Sequence, residues 1–392
     1  MPWKVSQPVD ERMRLIARVL DGERMTDVCR EFGISRKTGN KFLDRYKKMG
    51  PGGLEDLTRR PAKLARQSSP QVQKLIVDLK GDKPTWGAAK IREYLIQKNP
   101  SVRFPVRSTV HEILDRNGLV RKQGRGKRKY PAHPTHLGRA HESNEIWCTD
   151  FKGQFRLGNR KYCYPLTISD QFSRFLLCCE GLESTRETEV SQMFRAVFEE
   201  YGLPEAIRSD NGCPFSTRTV LGLSKLSVWW MRLGIRLERI QPGHPEQNGR
   251  HERMHRTLKE ATAVRPASNF LQQQELFDSF REEYNEERPH ESLKMKTPKS
   301  VYRPSKKSYP EHLPIPEYTE HDFVRIVYPA GGVRFGGKSS FFLSAALAGQ
   351  PIGLTQAEEK LWRVSFMDLD LGYYDEETNR FTEMEKNALD VV

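Results

Sequence analysis

The sequence predicts a multidomain chain: two small all-α units, a central α/β domain and a small all-β tail. Three observations carry that reading. The 392 residues are too many for one ordinary domain, and 36% hydrophobic with 30% charged residues supply apolar material for several cores. The excess of positive charge is confined to the start: residues 1–130 hold 31 Lys and Arg against 14 Asp and Glu, and the remainder is slightly acidic. The hydrophobic period also changes, from helical spacing before about residue 120, to mixed strands and helices, to short strands after about residue 321.

Taken in order, residues 1–55 read as three helices. Asp10–Leu20 carries Met13, Ile16, Val19 and Leu20 at helical spacing. Thr26 or Asp27 is placed to cap a second helix, Asp27–Phe32; Gly33 turns the chain, and Ser35 caps a third helix reaching about Met49. Helix, glycine turn and capped basic helix make the helix-turn-helix pattern. Its last helix would present Arg36, Lys37, Asn40 and Lys41 to phosphates and base edges. Concentrated positive charge fits a nucleic-acid partner, while an ordinary three-helix bundle with a solvated basic surface is the plainer alternative.

Residues 56–70, within Pro51–Pro70, read as a Pro-, Gly- and Arg-rich linker. A second, winged-type helix-turn-helix is expected over 71–122. It has a helix over Gln71–Leu79, one capped by Thr85 over Trp86–Ile96, and one capped by Ser108 over Thr109–Asn117 and ended by Gly118. Arg107, Ser108, Thr109 and His111 would lie near DNA. The basic tract Arg121–Tyr130 enters a linker over 123–140, either phosphate-contacting or a solvated spacer.

From about His141 the texture is α/β. WCTDFKGQF, KYCYPLTISD and RFLLCCE read as three strands joined by the turns Leu157-Gly158-Asn159 and Gln171-Phe172-Ser173. A helix over Thr185–Tyr201, the strand EAIRSD, a helix over Leu221–Leu233 and the strand IRLERI follow, then helices over Glu246–Ala263 and Leu271–Glu287. The order βββαβαβαα over 141–303 is that of a ribonuclease-H-like domain. Pro304, Pro310, Pro314 and Pro316 mark a linker over 304–320. FVRIVYP, GVRFGG, SSFFL, LWRVSFM and RFTEM then give a small SH3-like β-barrel module over 321–385.

Several function classes are set aside. No run of eighteen apolar residues is present, so no membrane span is expected, and the N-terminus lacks the apolar core of a secretory signal. The six cysteines form no C-x-x-C pair and several lie inside apolar runs, so neither a disulfide framework nor a zinc site is expected, and the location reads as cytoplasmic.

Three acids stand where this order of elements would bring them together: Asp150 in WCTDFKG, Asp210 in RSDNG, and Glu252 in HPEQNGRHERMHRTLK. Carboxylates converging from separate elements repel unless cations neutralise them. Hard oxygen donors of this kind suit Mg²⁺ or Mn²⁺, and two such ions about 4 Å apart can serve an in-line phosphoryl displacement.

These motifs resemble, in order, the three acidic motifs of bacterial insertion-sequence transposases of the DDE superfamily, whose catalytic core is shared with retroviral integrases. The likeness runs over almost the whole chain. It implies a transposase that binds the terminal inverted repeats of its element, cleaves the DNA ends and joins 3′-hydroxyls to target DNA. It also implies two Mg²⁺ or Mn²⁺ ions held by Asp150, Asp210 and Glu252, at least a homodimer in the active complex, and no membrane partner. In the family the third acid follows the Gly of a Pro-x-x-x-Gly loop by three positions; Pro245, Gly249 and Glu252 fit that spacing, whereas Glu246 lies inside the loop. Arg256 and Lys259, four and seven residues on, would hold DNA phosphates, with Asn248 counted beside them. A plain i,i+4 salt bridge between Glu252 and Arg256 is the alternative.

Departures are visible. Asp210 and Glu252 are separated by 41 residues, more than in the retroviral branch, and the extra length falls in STRTVLGLSKLSVWW. The retroviral zinc-binding His/Cys module is missing, so His133, His136 and His141 read as non-ligands, and Asp170 reads as a turn residue. The second reading of the whole chain is a catalytically silent or domesticated transposase-derived DNA-binding regulator, which metal-dependent nicking of DNA would separate from the enzyme.

Overall fold

Three amphipathic helices, α1 (Pro8–Leu20), α2 (Met25–Glu31) and α3 (Arg36–Met49), close over Leu15, Ile16, Val28 and Leu54. Ser35 caps α3 as its sequence predicts, its hydroxyl accepting from the Thr38 N–H at 3.2 Å. The helix α2 differs from expectation: it begins two residues earlier, with Arg24 at the N-cap and no side-chain cap. Gly39 lets α3 lie close on α2, since a Cβ there would sit 2.5 Å from Cys29 Sγ. The segment after α3 is not all linker. Gly50–Leu54 forms a 3₁₀ turn that buries Leu54, and Arg12 clamps it by donating to the Leu54 carbonyl (2.7 Å) and pairing with Asp56 (2.8 Å).

The computed structural model describes residues 8–57, 68–120, 137–217, 219–241, 244–336 and 339–384, and the chain divides into two compact units, Met1–Gln67 and Ser68–Val392. The tract Arg121–Tyr130, His133 and His136 therefore lie outside the described residues, as do the side chains of Pro245 and Glu246.

The second unit opens with α4 (Pro70–Asp82), α5 (Ala88–Lys98) and α6 (Arg107–Arg116) around Ile76, Trp86, Ile91 and Val110. Two expected caps are not used. Trp86 stays outside α5 because its indole fills the core, and the helix starts only after Gly87. The helix α6 starts directly after the extended Val106, which puts Ser108 inside its first turn rather than at its cap. Residues 68–120 contain no strand, so the expected wing is absent among them. Gly118, at φ +70°, ends α6 and lets the Leu119 N–H reach the Leu114 carbonyl (2.9 Å).

A mixed sheet follows: β1 (Ile146–Phe151), β2 (Phe155–Arg156), β3 (Tyr162–Asp170), β4 (Leu176–Leu182), β5 (Ala206–Ser209) and β6 (Arg236–Arg239). The pairs β1–β3 and β3–β4 are antiparallel, β1–β5 and β5–β6 parallel, and β2 adds a short antiparallel pair to β3. This is the ribonuclease-H-like sheet. Helices α7 (Glu187–Tyr201) and α8 (Lys225–Arg232) bury Phe194, Phe198 and Trp230 against Trp147, Leu166 and Ile168. Helices α9 (Gly249–Leu258) and α10 (Phe270–Glu282) bury Met254, Leu258, Phe277 and Phe280 against Cys163 and Cys179. Each continues into a π-helical turn, Lys259–Ala263 and Glu283–Glu287, and α11 (Pro298–Val301) closes the domain. The second π turn holds the α4–α6 unit: Lys83 pairs with Glu283 (2.9 Å) and Glu287 (2.8 Å), and the Trp86 indole donates to Glu283 (3.0 Å).

The tail contains β7 (Phe323–Ile326), β8 (Gly332–Gly336), β9 (Ser339–Phe342), β10 (Pro351–Glu358), β11 (Leu361–Phe366), β12 (Leu369–Asp375) and β13 (Arg380–Glu383). Five of these form one antiparallel sheet in the order β13-β12-β11-β10-β7, beside the β8–β9 hairpin. Its core is continuous with α8 and the stretch before it, since Val220, Leu221, Leu223 and, on α8, Val228 pack with Leu354, Val364, Phe366 and Tyr374. No helix is long and apolar enough to cross a membrane among the described residues.

Candidate active site

Asp150 lies near the end of β1, and Asp210 follows β5 directly. The parallel register sets Cys148 opposite Arg208, so two residues further along the two carboxylates come level on neighbouring strands. Asp210 is half-buried, and its buried Oδ1 has no hydrogen-bond partner among the described residues. Gly212 makes room for the other oxygen: a Cβ there would stand 2.9 Å from Asp210 Oδ2. Asn211 ties the turn down by donating to the Ile240 carbonyl (2.6 Å).

Burial, then the charge of Asp210 and lastly that of Glu252, push the Asp150 carboxyl up to about 7. Burial also raises Asp210, against the Gly212 N–H that favours its charged form. Glu252 sits exposed in the first turn of α9, near enough to be felt at Asp150, and no ion pair joins it to Arg256. Half-buried, mutually repelling carboxylates with an orphaned oxygen are a donor set that a hard divalent cation fits. Among the described residues no three Asp, Glu, His or Cys side chains already stand within reach of one ion.

The expected DNA-contact residues fall into separate places. Arg36, Lys37, Asn40 and Lys41 are all exposed on α3 and, with Asp44, line one shallow concave patch. Arg107, Ser108 and His111 are exposed on α6 and share a hollow with Lys90 and Glu291, while Thr109 is half-buried. Arg256 on α9 and Lys259, which opens the π-helical turn after it, are both exposed, as Glu252 is. Asn248 is a correction: it is 4% exposed at the N-cap of α9, packed too deep to belong to the DNA-facing set. Asp170, expected in a turn, is instead the last residue of β3, and its buried carboxylate holds the turn that follows by accepting from the Asn144 and Ser173 N–H groups (2.8 and 2.7 Å) and the Ser173 hydroxyl (2.5 Å).

Three side chains escaped the sequence reading. Arg208, one residue from the end of β5, is buried and gives Nε and Nη2 to Glu238 Oε2 (2.9 and 2.6 Å), Nη2 to the Gly138 carbonyl (2.7 Å) and Nη1 to the Gln247 carbonyl (3.4 Å). It thereby ties β5 to β6 and to the lead-in of α9. His251 and His255 flank Glu252 on the buried face of α9, where burial lowers them to about 3 and about 2 and keeps both neutral. The signal was present in RHERMHRTL: two histidines four apart, on one face with Met254 and Leu258.

A family described as an integrase core domain matches residues 140–245, and a second of the same description matches 233–298. A helix-turn-helix domain family matches residues 11–62, and a homeodomain-like one 38–114. The chain is 26% identical over 250 residues to an uncharacterized 39.2 kDa protein of insertion element IS476 from Xanthomonas euvesicatoria, covering 61% of this chain and 67% of the relative. It is 25% identical over 196 residues to an uncharacterized 31.7 kDa protein of insertion element IS407 from Burkholderia multivorans, covering 48% of this chain and 66% of the relative. The chain carries an integrase core domain. It is similar to insertion-element proteins, and helix-turn-helix and homeodomain-like domains precede its integrase core. It spans about two-thirds of the length of those relatives. Among solved structures, the HTLV-2 integrase catalytic core in complex with magnesium is 15% identical, with 42% of this chain and 100% of that one covered at a TM-score of 0.34. The simian T-cell lymphotropic virus intasome reaches 0.38 at 15% identity, with 74% and 91% covered. Both likenesses are too loose to carry a residue-level argument.

Proposed function

We propose that this DDE-superfamily chain is a transposase that binds the terminal inverted repeats of its element, cleaves the DNA ends and joins 3′-hydroxyls to target DNA. One observation supports this most: two half-buried carboxylates, Asp150 on β1 and Asp210 just after β5, come level, with a buried oxygen that no donor among the described residues satisfies. Asp150 and Asp210 would hold two Mg²⁺ or Mn²⁺ ions, and Glu252 would join them by turning in from the first turn of α9. Such ions, when bound, activate the attacking oxygen and stabilise the leaving one in an in-line displacement. Arg256 and Lys259 would hold DNA phosphates beside that point, and Arg36, Lys37, Asn40, Lys41, Arg107, Ser108, Thr109 and His111 would contact the repeats. In this reading 1–55 and 71–122 are the DNA readers, 141–303 the catalytic core and 321–385 a β module, joined by 56–70, 123–140 and 304–320. Pairing two DNA ends calls for at least a dimer.

The test replaces Asp150→Asn, Asp210→Asn and Glu252→Gln one at a time. Each variant should lose metal-dependent cleavage by three orders of magnitude or more, roughly 4 kcal/mol at the transition state, while retaining repeat binding. Cleavage near the wild-type rate by any of them removes that residue from the site. Repeat binding without cleavage in the wild-type chain would favour the regulator instead.

A further inference from the structure

Thr167 stands opposite Asp150 in the β1–β3 register, and its hydroxyl has three partners. Oγ1 lies 3.1 Å from the Asp150 carbonyl, 2.8 Å from His251 Nε2 and 2.7 Å from His255 Nε2. A hydroxyl has one proton and two lone pairs, and a carbonyl can only accept. The Thr167 proton therefore goes to Asp150, and both lone pairs must be filled by Nε2–H groups. His251 Nδ1 is then an acceptor, which the Ser169 hydroxyl satisfies at 2.8 Å. The two rings lie 4.5 Å apart and neither is hydrogen-bonded to a carboxylate, an arrangement that two like charges would disrupt.

We infer that Thr167 is a positioning residue for the carboxylate site: its hydroxyl locks His251 and His255 in the Nε2–H tautomer and ties α9, which carries Glu252, to the strand that carries Asp150. The inference rests on the reading of those carboxylates as cation ligands. Proton counting has a second consequence. His255 Nδ1 is left as a bare lone pair 3.7 Å from Asp150 Oδ2, so the histidine lends that carboxylate no proton and its charge stays available to a cation. Partners of this kind behind metal ligands change metal affinity by about 10- to 100-fold when removed.

The experiment uses the full chain labelled with ¹⁵N-histidine, with Mn²⁺ as the probe. Nitrogen spectra of the wild type should show protonated Nε2 and bare Nδ1 at both histidines. Thr167→Ser, which keeps the hydroxyl, should preserve those spectra and the Mn²⁺ affinity. Thr167→Val, which keeps the shape, should disturb the His255 tautomer and weaken Mn²⁺ binding about 10- to 100-fold at a near-normal melting temperature. A protonated Nδ1 at either histidine in the wild type overturns the inference, and that measurement needs no variant to fold. So does a folded Thr167→Val chain with wild-type Mn²⁺ affinity. Asp210→Asn separates the two ideas: Mn²⁺ binding indifferent to Asp210 sinks the carboxylate reading, whereas intact dependence on Asp210 with the wrong tautomers sinks only the role of Thr167.

Discussion

At the scale of single residues, the raised Asp150 carboxyl sets how stability and cation binding respond to pH. Its folded value of about 7 lies above the roughly 3.9 of an unfolded aspartate, so between those values the cation-free folded state holds a proton that the unfolded state releases. Folding is therefore favoured by this group at low pH, and that contribution is lost as pH rises through about 7. In chelator, the wild type should lose melting temperature relative to Asp150→Asn between about pH 4 and 7, and the gap should stay constant above. Mn²⁺ affinity should run the opposite way, rising by up to about tenfold per pH unit until about pH 7 because the ion competes with the proton. A pH-independent gap in melting temperature would show that Asp150 is ionised throughout. The positions of the three acids on their elements were legible in the sequence, because strand signals carry Asp150, a turn signal Asp210 and a helical pattern Glu252. Arg208, Thr167 and the two histidines were not, because a buried polar side chain is defined by partners far away in the chain: Glu238 for the first, Asp150 for Thr167, and Thr167 for the histidines.

Among the elements, the stretch between Asp210 and α8 shows why a departure in length does not disturb the site. Its extra residues do not enter the carboxylate pair; Val220, Leu221 and Leu223 instead leave the core domain to complete the apolar interior of the β tail. Leu223 is fully buried there, so Leu223→Ala should cost roughly 2–5 kcal/mol, the usual range for a large-to-small change in a core. The loss should appear as a lowered melting temperature together with faster protease cleavage within 304–384. Unchanged cleavage in a destabilised chain would mean that the tail stands without this support. In the sequence the same stretch was merged into a helix over Leu221–Leu233, whereas Leu221 takes a left-handed φ of +49° and α8 waits for the Ser224 capping box. Strands β10 and β12 were missed for a related reason. PIGLTQAE turns polar half-way along and LDLGYYD is broken by Gly372, so neither alternates cleanly, and only pairing on both sides makes them strands.

For the whole molecule, the division at Gln67 separates two bodies that both carry excess positive charge. Residues 1–67 hold 16 Lys and Arg against 9 Asp and Glu, and residues 68–130 hold 15 against 5. The helices α4–α6 are also held to the core by Lys83 and Trp86, so a fragment ending near residue 130 would lose those partners, and truncation from the front is the cleaner cut. A chain of residues 68–392 should melt as the corresponding part of the full chain does, because its apolar clusters are its own. If α3 reads base edges, the truncated chain should lose most discrimination between the terminal repeats and random DNA, whereas phosphate contacts from residues 68–130 should leave salt-dependent binding of lower slope. Affinity measured on both DNAs across a salt series decides the matter. Full discrimination after truncation would transfer sequence reading to α6, and a slope as steep as that of the full chain would mean that residues 1–67 neutralise no phosphates.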